Sequence, residues 1–257
     1  MSPFAAGIIG EFFGTTLLIL LGDGVVANVL LTRTKGQNAG LIAITWGWAM
    51  AVFVGVFTSA KFSGAHLNPA VTIGLTTAGE FEAGLVPYYI VAQMLGAMLG
   101  ATLVWLHYHP HWSLTEDKDL KLAVFCTGPA VRHPLMNLIS ETIGTFVLVF
   151  AALYLSSPSI SGPDGKPGGL GSIDALPIGL VVLAIGLSLG GTTGYAINPA
   201  RDLGPRIMHA LLPIPGGKRD SDWGYSWIPV VGPILGAVIA AALYRALGGV
   251  YVPPPIS

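Results

Sequence analysis

Six stretches of the chain are apolar and long enough to cross a bilayer as helices, near residues 5–31, 36–60, 83–107, 135–157, 175–192 and 223–247. A hydrocarbon core needs about 20 helical residues. Two further apolar pieces do not fit this length. Residues 62–79 are interrupted by Gly64, His66 and Pro69, and residues 194–214 by Gly194, Pro199, Gly204, Pro205 and Pro213. Backbone in lipid must satisfy its own hydrogen bonds, so pieces this short and broken have to be buried in protein or line an aqueous cavity. They predict re-entrant half-helices.

The pattern occurs twice. Glu11-Phe12-Phe13-Gly14-Thr15 matches Glu141-Thr142-Ile143-Gly144-Thr145 at a shift of 130, and Asn68-Pro69-Ala70 matches Asn198-Pro199-Ala200 at the same shift. A third match, Leu95-Gly96-Ala97 with Leu235-Gly236-Ala237, sits at 140, which a ten-residue insertion in the second half explains. Each repeat holds three spans and one re-entrant piece. Three is odd, so the second copy must enter the membrane upside down, and inverted repeats place their binding region near the midplane. The expected fold is therefore an all-α membrane protein with six transmembrane helices and two half-helices. It forms one transmembrane domain over 1–257, with repeats near 5–107 and 135–247 and a linker near 108–134. Two connectors read as solvated: one holding Glu116, Asp117, Lys118, Asp119 and Lys121, and a flexible one from Ser161 to Gly169.

Composition supports a bilayer as the solvent: mean hydropathy is +0.70, and only 10% of residues are charged against 35 glycines. The net charge of -1 with scattered Lys and Arg excludes nucleic acid as a partner, which would need a basic face. A lone Cys126 and the lack of a Cys/His cluster point to no metal site and no cofactor. The first ten residues carry no Lys or Arg, so the first apolar segment is expected to remain as a span.

Asn is a favoured N-cap and Pro suits the first helical position, so each Asn-Pro starts a helix. Asn68 and Asn198 would cap through the side-chain oxygen and leave amide N–H groups to donate into a lumen. Upstream, extended backbone at Gly64, Ala65 and His66, and at Thr192, Thr193 and Gly194, would offer a row of carbonyl acceptors. Two half-helix N-termini meeting at mid-membrane would point about half an elementary charge each at one spot, repelling cations and protons.

The segments Ser63-Gly64-Ala65-His66-Leu67-Asn68-Pro69-Ala70-Val71-Thr72 and Gly194-Tyr195-Ala196-Ile197-Asn198-Pro199-Ala200-Arg201-Asp202 resemble the paired signatures of the aquaporin family. The likeness runs from about residue 5 to 247. Aquaporin-type pores are an established case of selectivity by donors, acceptors, diameter and half-helix dipoles. The resemblance implies a homotetramer with one pore per subunit, and Asp202 after Arg201 is typical of the glycerol-conducting branch. It also implies that Arg201 forms the narrowest constriction; a charge in an apolar region is functional by default, the alternative being an arginine that snorkels to the interface. Trp48 stands twenty residues before Asn68, where glycerol facilitators place a tryptophan, and Trp46 would face nearly the opposite side. Gly186, twelve before Asn198, stands where water-specific members carry histidine and would widen the constriction. Tyr195 takes the place of an aromatic, usually phenylalanine, and its hydroxyl would narrow the site or bond the solute. Trp48 and Tyr195 would then give an apolar corner and Arg201 the polar side, suited to a polyol. Both aromatics could instead be core or interface-belt residues.

The resemblance makes Glu11 and Glu141 scaffold acceptors for the N–H groups of the re-entrant loops. Asp202 should be held by local polar groups, with Arg206 one turn on as a partner. His66 reads as a lining residue, and Asp23 has no partner that the sequence names. The expected function is a non-enzymatic passive channel for glycerol and related polyols with some water, excluding ions and protons. Urea, dihydroxyacetone, hydrogen peroxide and lactic acid are further small neutral candidates. The competing class is a secondary transporter, which shares inverted repeats but needs an ionisable group at its centre; an intramembrane enzyme would need a nucleophile or metal cluster. The resemblance implies a plasma-membrane location with cytoplasmic termini. Charge alone argues the reverse, since Lys61, Lys166 and Arg245 fall on the termini's side and the other nine basic residues opposite.

Overall fold

The computed structural model describes residues 1–155, 160, 161 and 167–248. Helix α1 (Pro3–Leu30) starts where Ser2 Oγ accepts from Ala5 N and Pro3 takes the first position. α2 (Gly40–Ser63) stops at Gly64, which turns left-handed at φ 81°. The chain then runs extended to Asn68, which caps α3 (Pro69–Ala78), and Gly79 at φ 90° ends it. A 3₁₀ turn, Ala83–Leu85, leads into α4 (Val86–His107). α5 (His109–Trp112) and α6 (Lys118–Phe125) are short. α7 (Pro134–Tyr154) is followed by a minimal antiparallel pairing of Ile160 with Gly168 and Ser161 with Pro167. A 3₁₀ turn, Gly171–Ala175, then leads into α8 (Leu176–Leu189). α9 (Pro199–Leu211) starts at Asn198, and α10 (Ile228–Ala246) closes the described fold.

Six of these helical segments are long and apolar enough to cross a membrane, while α3 is only 10 residues. Each half-helix packs chiefly on the last span of the other half: α3 lies against α10, and α9 against α4. The two halves therefore embrace, and neither half-helix is exposed to lipid on all sides. Small residues allow the close crossings, as expected where no hydrophobic force drives helices together. A Cβ on Gly96 would lie 2.3 Å from the carbonyl oxygen of Phe12, and a Cβ on Gly236 would lie 2.3 Å from that of Thr142. The α1/α4 and α7/α10 crossings thus use matched positions of the two repeats.

The structure differs from the pattern in five places, one being α10, which begins at Ile228 and not near 223. α2 begins at Gly40 and α8 ends at Leu189, both inside the apolar runs, because Gly190 and Gly191 and the 31–39 turn break the helix. α9 runs unbroken through Gly204 and Pro205, although proline removes one donor; Gly204 packs so closely on α4 that a Cβ there would sit 2.7 Å from Ala97 Cβ. The connector 108–134 is not simply solvated: α6 buries Lys121, Val124 and Phe125, and Lys121 Nζ donates to the Pro215 and Gly217 carbonyls at 2.9 and 3.0 Å. Burial lowers the Lys121 pKa from its ordinary value, with Lys118 adding repulsion. Residues 156–157, most of the 161–169 connector with Lys166, and residues 249–257 lie outside the described residues.

Candidate functional site: a polar strip against an apolar wall

The two Asn-Pro-Ala segments abut. Asn68 Oδ1 accepts from Ala70 N at 2.8 Å, and Asn198 Oδ1 accepts from Ala200 N at 3.0 Å and Arg201 N at 3.2 Å. Each side-chain amide then reaches across the interface between halves. Asn68 Nδ2 donates to Ile197 O at 2.8 Å, and Asn198 Nδ2 donates to Leu67 O at 2.9 Å. One N–H of each amide is thereby used to join the halves, which leaves one of its two for a solute.

The backbone before each cap is strained in the same way. Ala65 and Leu67 have φ of 55° and 51°, and Tyr195 and Ile197, 130 residues on, have φ of 39° and 43°. Non-glycine residues held there cost of order 1–3 kcal/mol each and need surrounding structure to fix them. Glu11 supplies it in the first half: its carboxylate accepts from His66 N at 2.9 Å, Leu67 N at 2.7 Å and Gln93 Nε2 at 2.7 Å. Glu141 does so in the second, accepting from Thr193 Oγ1 at 2.6 Å, Ala196 N at 3.0 Å and Ile197 N at 2.8 Å. Gln93, which also donates to Thr72 Oγ1 at 2.9 Å, escaped the sequence reading. A buried glutamine inside an apolar span was the available signal.

A cavity of about 260 Å³ lies along this seam. Its polar side is the strained backbone of Gly64, Ala65, His66 and Leu67 with Asn68, and of Tyr195, Ala196 and Ile197 with Asn198, ending at Arg201. Its apolar side comes from Leu18, Trp48, Val52, Val56, Leu148, Ile178 and Val182. Thr192, Thr193 and Gly194 are not among the residues that line this cavity. Those residues belong to the turn that ends α8: the Thr192 carbonyl accepts from Ala130 N at 3.0 Å, and the Thr193 hydroxyl is bound by Glu141. His66 lines the cavity, its Nδ1 3.1 Å from Thr72 Oγ1; among the described residues no group of His, Cys, Asp or Glu is placed to hold a metal.

Trp48, Tyr195 and Arg201 meet at one end of the cavity, while Trp46 is about half exposed on the outer surface. The Arg201 guanidinium carbon stacks over the Trp48 ring at 4.1 Å. Its Nη1 lies 3.4 Å from both Phe125 O and Asp23 Oδ1, which supplies the partner for Asp23 that the sequence did not. Gly22 makes room for the tryptophan, since a Cβ there would be 2.2 Å from the Trp48 ring.

Gly186 is not itself among the residues lining the cavity and acts on this end through Tyr195. A Cβ on it would lie 2.8 Å from Tyr195 Cζ and 2.4 Å from Thr45 Cγ2, and a Cβ on Gly190 would lie 2.6 Å from Tyr195 Cδ1. The two glycines, Gly186 in the last turn of α8 and Gly190 at its C-cap, form a slot that receives the tyrosine ring. Asp202 points away from the cavity into a closed network. Its Oδ2 accepts from Thr127 N at 2.8 Å and Thr127 Oγ1 at 2.7 Å, and its Oδ1 from Arg206 Nε at 2.8 Å. Arg206 also donates to the carbonyls of Ser221 and Thr127. Such a buried pair fixes geometry more than it adds net stability.

The arrangement offers a line of acceptors, two amide donors and one guanidinium facing hydrocarbon side chains. Residues 1–244 match the family model described as major intrinsic protein. The chain is 56% identical over 239 residues to a probable glycerol uptake facilitator protein of Thermotoga maritima, covering 93% of this chain and 98% of that one. It is 36% identical over 247 residues to a D/L-lactic acid transporter of Lactiplantibacillus plantarum, covering 95% and 98%. The X-ray structure of the aquaglyceroporin from Plasmodium falciparum superposes with a TM-score of 0.80 at 33% identity, covering 94% of this chain and 95% of that one.

Proposed function

We propose that this chain, which belongs to the major intrinsic protein family, is a passive channel for small uncharged solutes, with glycerol and related polyols as its principal cargo and some water. The observation that carries the reading is the cavity itself, one polar strip of carbonyls and amides facing an apolar wall. A polyol has the same division, hydroxyls along one edge and C–H groups along the other, so both faces are matched as it moves. The glycerol facilitator and aquaglyceroporin relatives support that cargo. Lactic acid in its protonated form, the cargo named for a more distant relative, urea, dihydroxyacetone and hydrogen peroxide share its size and neutrality.

Trp48, Tyr195 and Arg201 act as the selectivity filter, with Gly186 shaping it from behind. The half-helix N-termini at Asn68-Pro69-Ala70 and Asn198-Pro199-Ala200 repel cations and protons at the centre. Glu11, Glu141 and Asp202 are scaffold. The protein resides in the plasma membrane with both termini cytoplasmic and assembles as a homotetramer with one pore per subunit.

A secondary transporter would need a titratable group in the passage to couple solute to an ion. Arg201, His66 and Tyr195 are the ionisable side chains among the described lining residues, and no carboxylate lines the cavity beside them to relay a proton or bind an ion. Uptake of labelled glycerol into proteoliposomes should therefore equilibrate without accumulating and should not respond to an imposed proton gradient. Accumulation above the outside concentration would replace the channel with a carrier.

A further inference from the structure

Asp23 is a carboxylate inside the first membrane span, fully buried, with one oxygen near a cation and the other without a hydrogen-bond partner among the described residues. A buried charge with incomplete partners is destabilising, and an acid within a membrane span is functional by default. The scaffold of the pore does not need it. Glu11 and Glu141 hold the strained loops, and both oxygens of Asp202 are engaged by Thr127 and Arg206. Asp202 adjoins Arg201 in sequence yet is not its partner; the acid at the Arg201 guanidinium is Asp23, contributed from α1.

From this geometry, and resting on the filter reading above, we infer that Asp23 is a positioning residue that sets the solute specificity of the filter by restraining Arg201 and cancelling its charge. Three elements fix the guanidinium: the Trp48 face from α2, the Phe125 carbonyl after α6, and Asp23 from α1. Asp23 lies beside the glycine that admits the Trp48 ring, so one dipeptide of α1, Gly22-Asp23, seats both the aromatic and the cation. At 3.4 Å the ion pair is longer than the 2.7–2.9 Å of a strong charge-assisted bond. It restrains the guanidinium without clamping it. Two consequences follow. The cation is drawn to the α1 wall, which leaves the passage wide enough for a polyol. Asp23, Arg201, Asp202 and Arg206 are all buried, so when Asp23 is ionised the two acids balance the two arginines, and the half-helix N-termini, not the filter arginine, carry most of the repulsion of cations.

The test is Asp23→Asn, which removes the charge and keeps the shape, with Asp23→Ala as a second variant and Asp23→Glu as the conservative one. Purified variants in liposomes are compared for glycerol and water permeability, normalised to protein incorporated. Once released, the guanidinium moves into the passage, and a polyol is hindered more than water. The ratio of glycerol to water permeability should fall about fivefold to tenfold in the Asn and Ala variants, and Asp23→Glu should restore much of it. In an Arg201→Val background the Asn change should have no further effect. Overturning results are an unchanged ratio in well-incorporated Asn and Ala variants, or glycerol and water falling together in proportion, which marks a purely structural acid. Arg201→Val alone separates the two readings: if it leaves the ratio unchanged, the filter assignment fails before Asp23 is at issue.

Discussion

Gly186→Ala is expected to reduce glycerol permeability about tenfold or more while reducing water permeability much less. The added methyl would lie 2.4 Å from Thr45 Cγ2 and 2.8 Å from Tyr195 Cζ, closer than carbon atoms approach, so one neighbour must move. Thr45 is anchored on α2 by a 2.9 Å bond from its hydroxyl to Leu41 O. The tyrosine ring has Gly190 on the same wall, leaving the cavity that it already lines as its way out. Overpacking of this kind costs about 1–3 kcal/mol, and applied to the passage of a solute that is roughly tenfold. Relieving the clash with Tyr195→Gly in the same chain should return glycerol flux. Stopped-flow light scattering on proteoliposomes measures both solutes, and undiminished glycerol flux in the single variant would disprove the slot.

The second large effect is on folding. Glu141→Ala removes the acceptor of two backbone N–H groups and one hydroxyl, all buried. An unsatisfied buried donor costs about 1–3 kcal/mol, so the loss is of order 3–9 kcal/mol, comparable to the whole stability of about 5–15 kcal/mol typical of a protein. The variant should yield little or no monodisperse protein after detergent extraction. Glu11→Ala should behave alike, because Glu11 serves His66 N, Leu67 N and Gln93 in the other half. A well-folded Glu141→Ala protein with normal glycerol flux would show that the carboxylate is not what holds the loop.

The large features were legible because each has a local cause. Six long apolar runs can only cross a membrane, and Asn-Pro is both a cap and a first helical residue, so the half-helix starts at Pro69 and Pro199 were readable to the residue. The matched spacing of Glu11 to Asn68 and Glu141 to Asn198 carried the inverted symmetry. What was not legible depends on distant contacts. The burial of Lys121 rests on carbonyls at Pro215 and Gly217, and nothing near Lys121 announces them. Gly186 reads alone as an absent side chain, and only Gly190 one turn later hints at a surface prepared for a ring. That Thr192, Thr193 and Gly194 stand outside the cavity lining was not legible, because the sequence does not say how far the turn after α8 extends. The ion pair of Asp23 joins the first span to the second half-helix, 178 residues apart. A second acid in the first span, set between two glycines, was its sole mark.

All of this depends on two half-helices from opposite halves sharing one solute path at Asn68 and Asn198. The most direct measurement is the response of proteoliposomes to an inward-directed glycerol gradient in stopped-flow light scattering. Vesicles carrying the protein should shrink as water leaves, then re-swell as glycerol enters at a rate proportional to concentration and far above that of empty vesicles. Shrinkage with no re-swelling beyond the empty-vesicle rate would contradict the account.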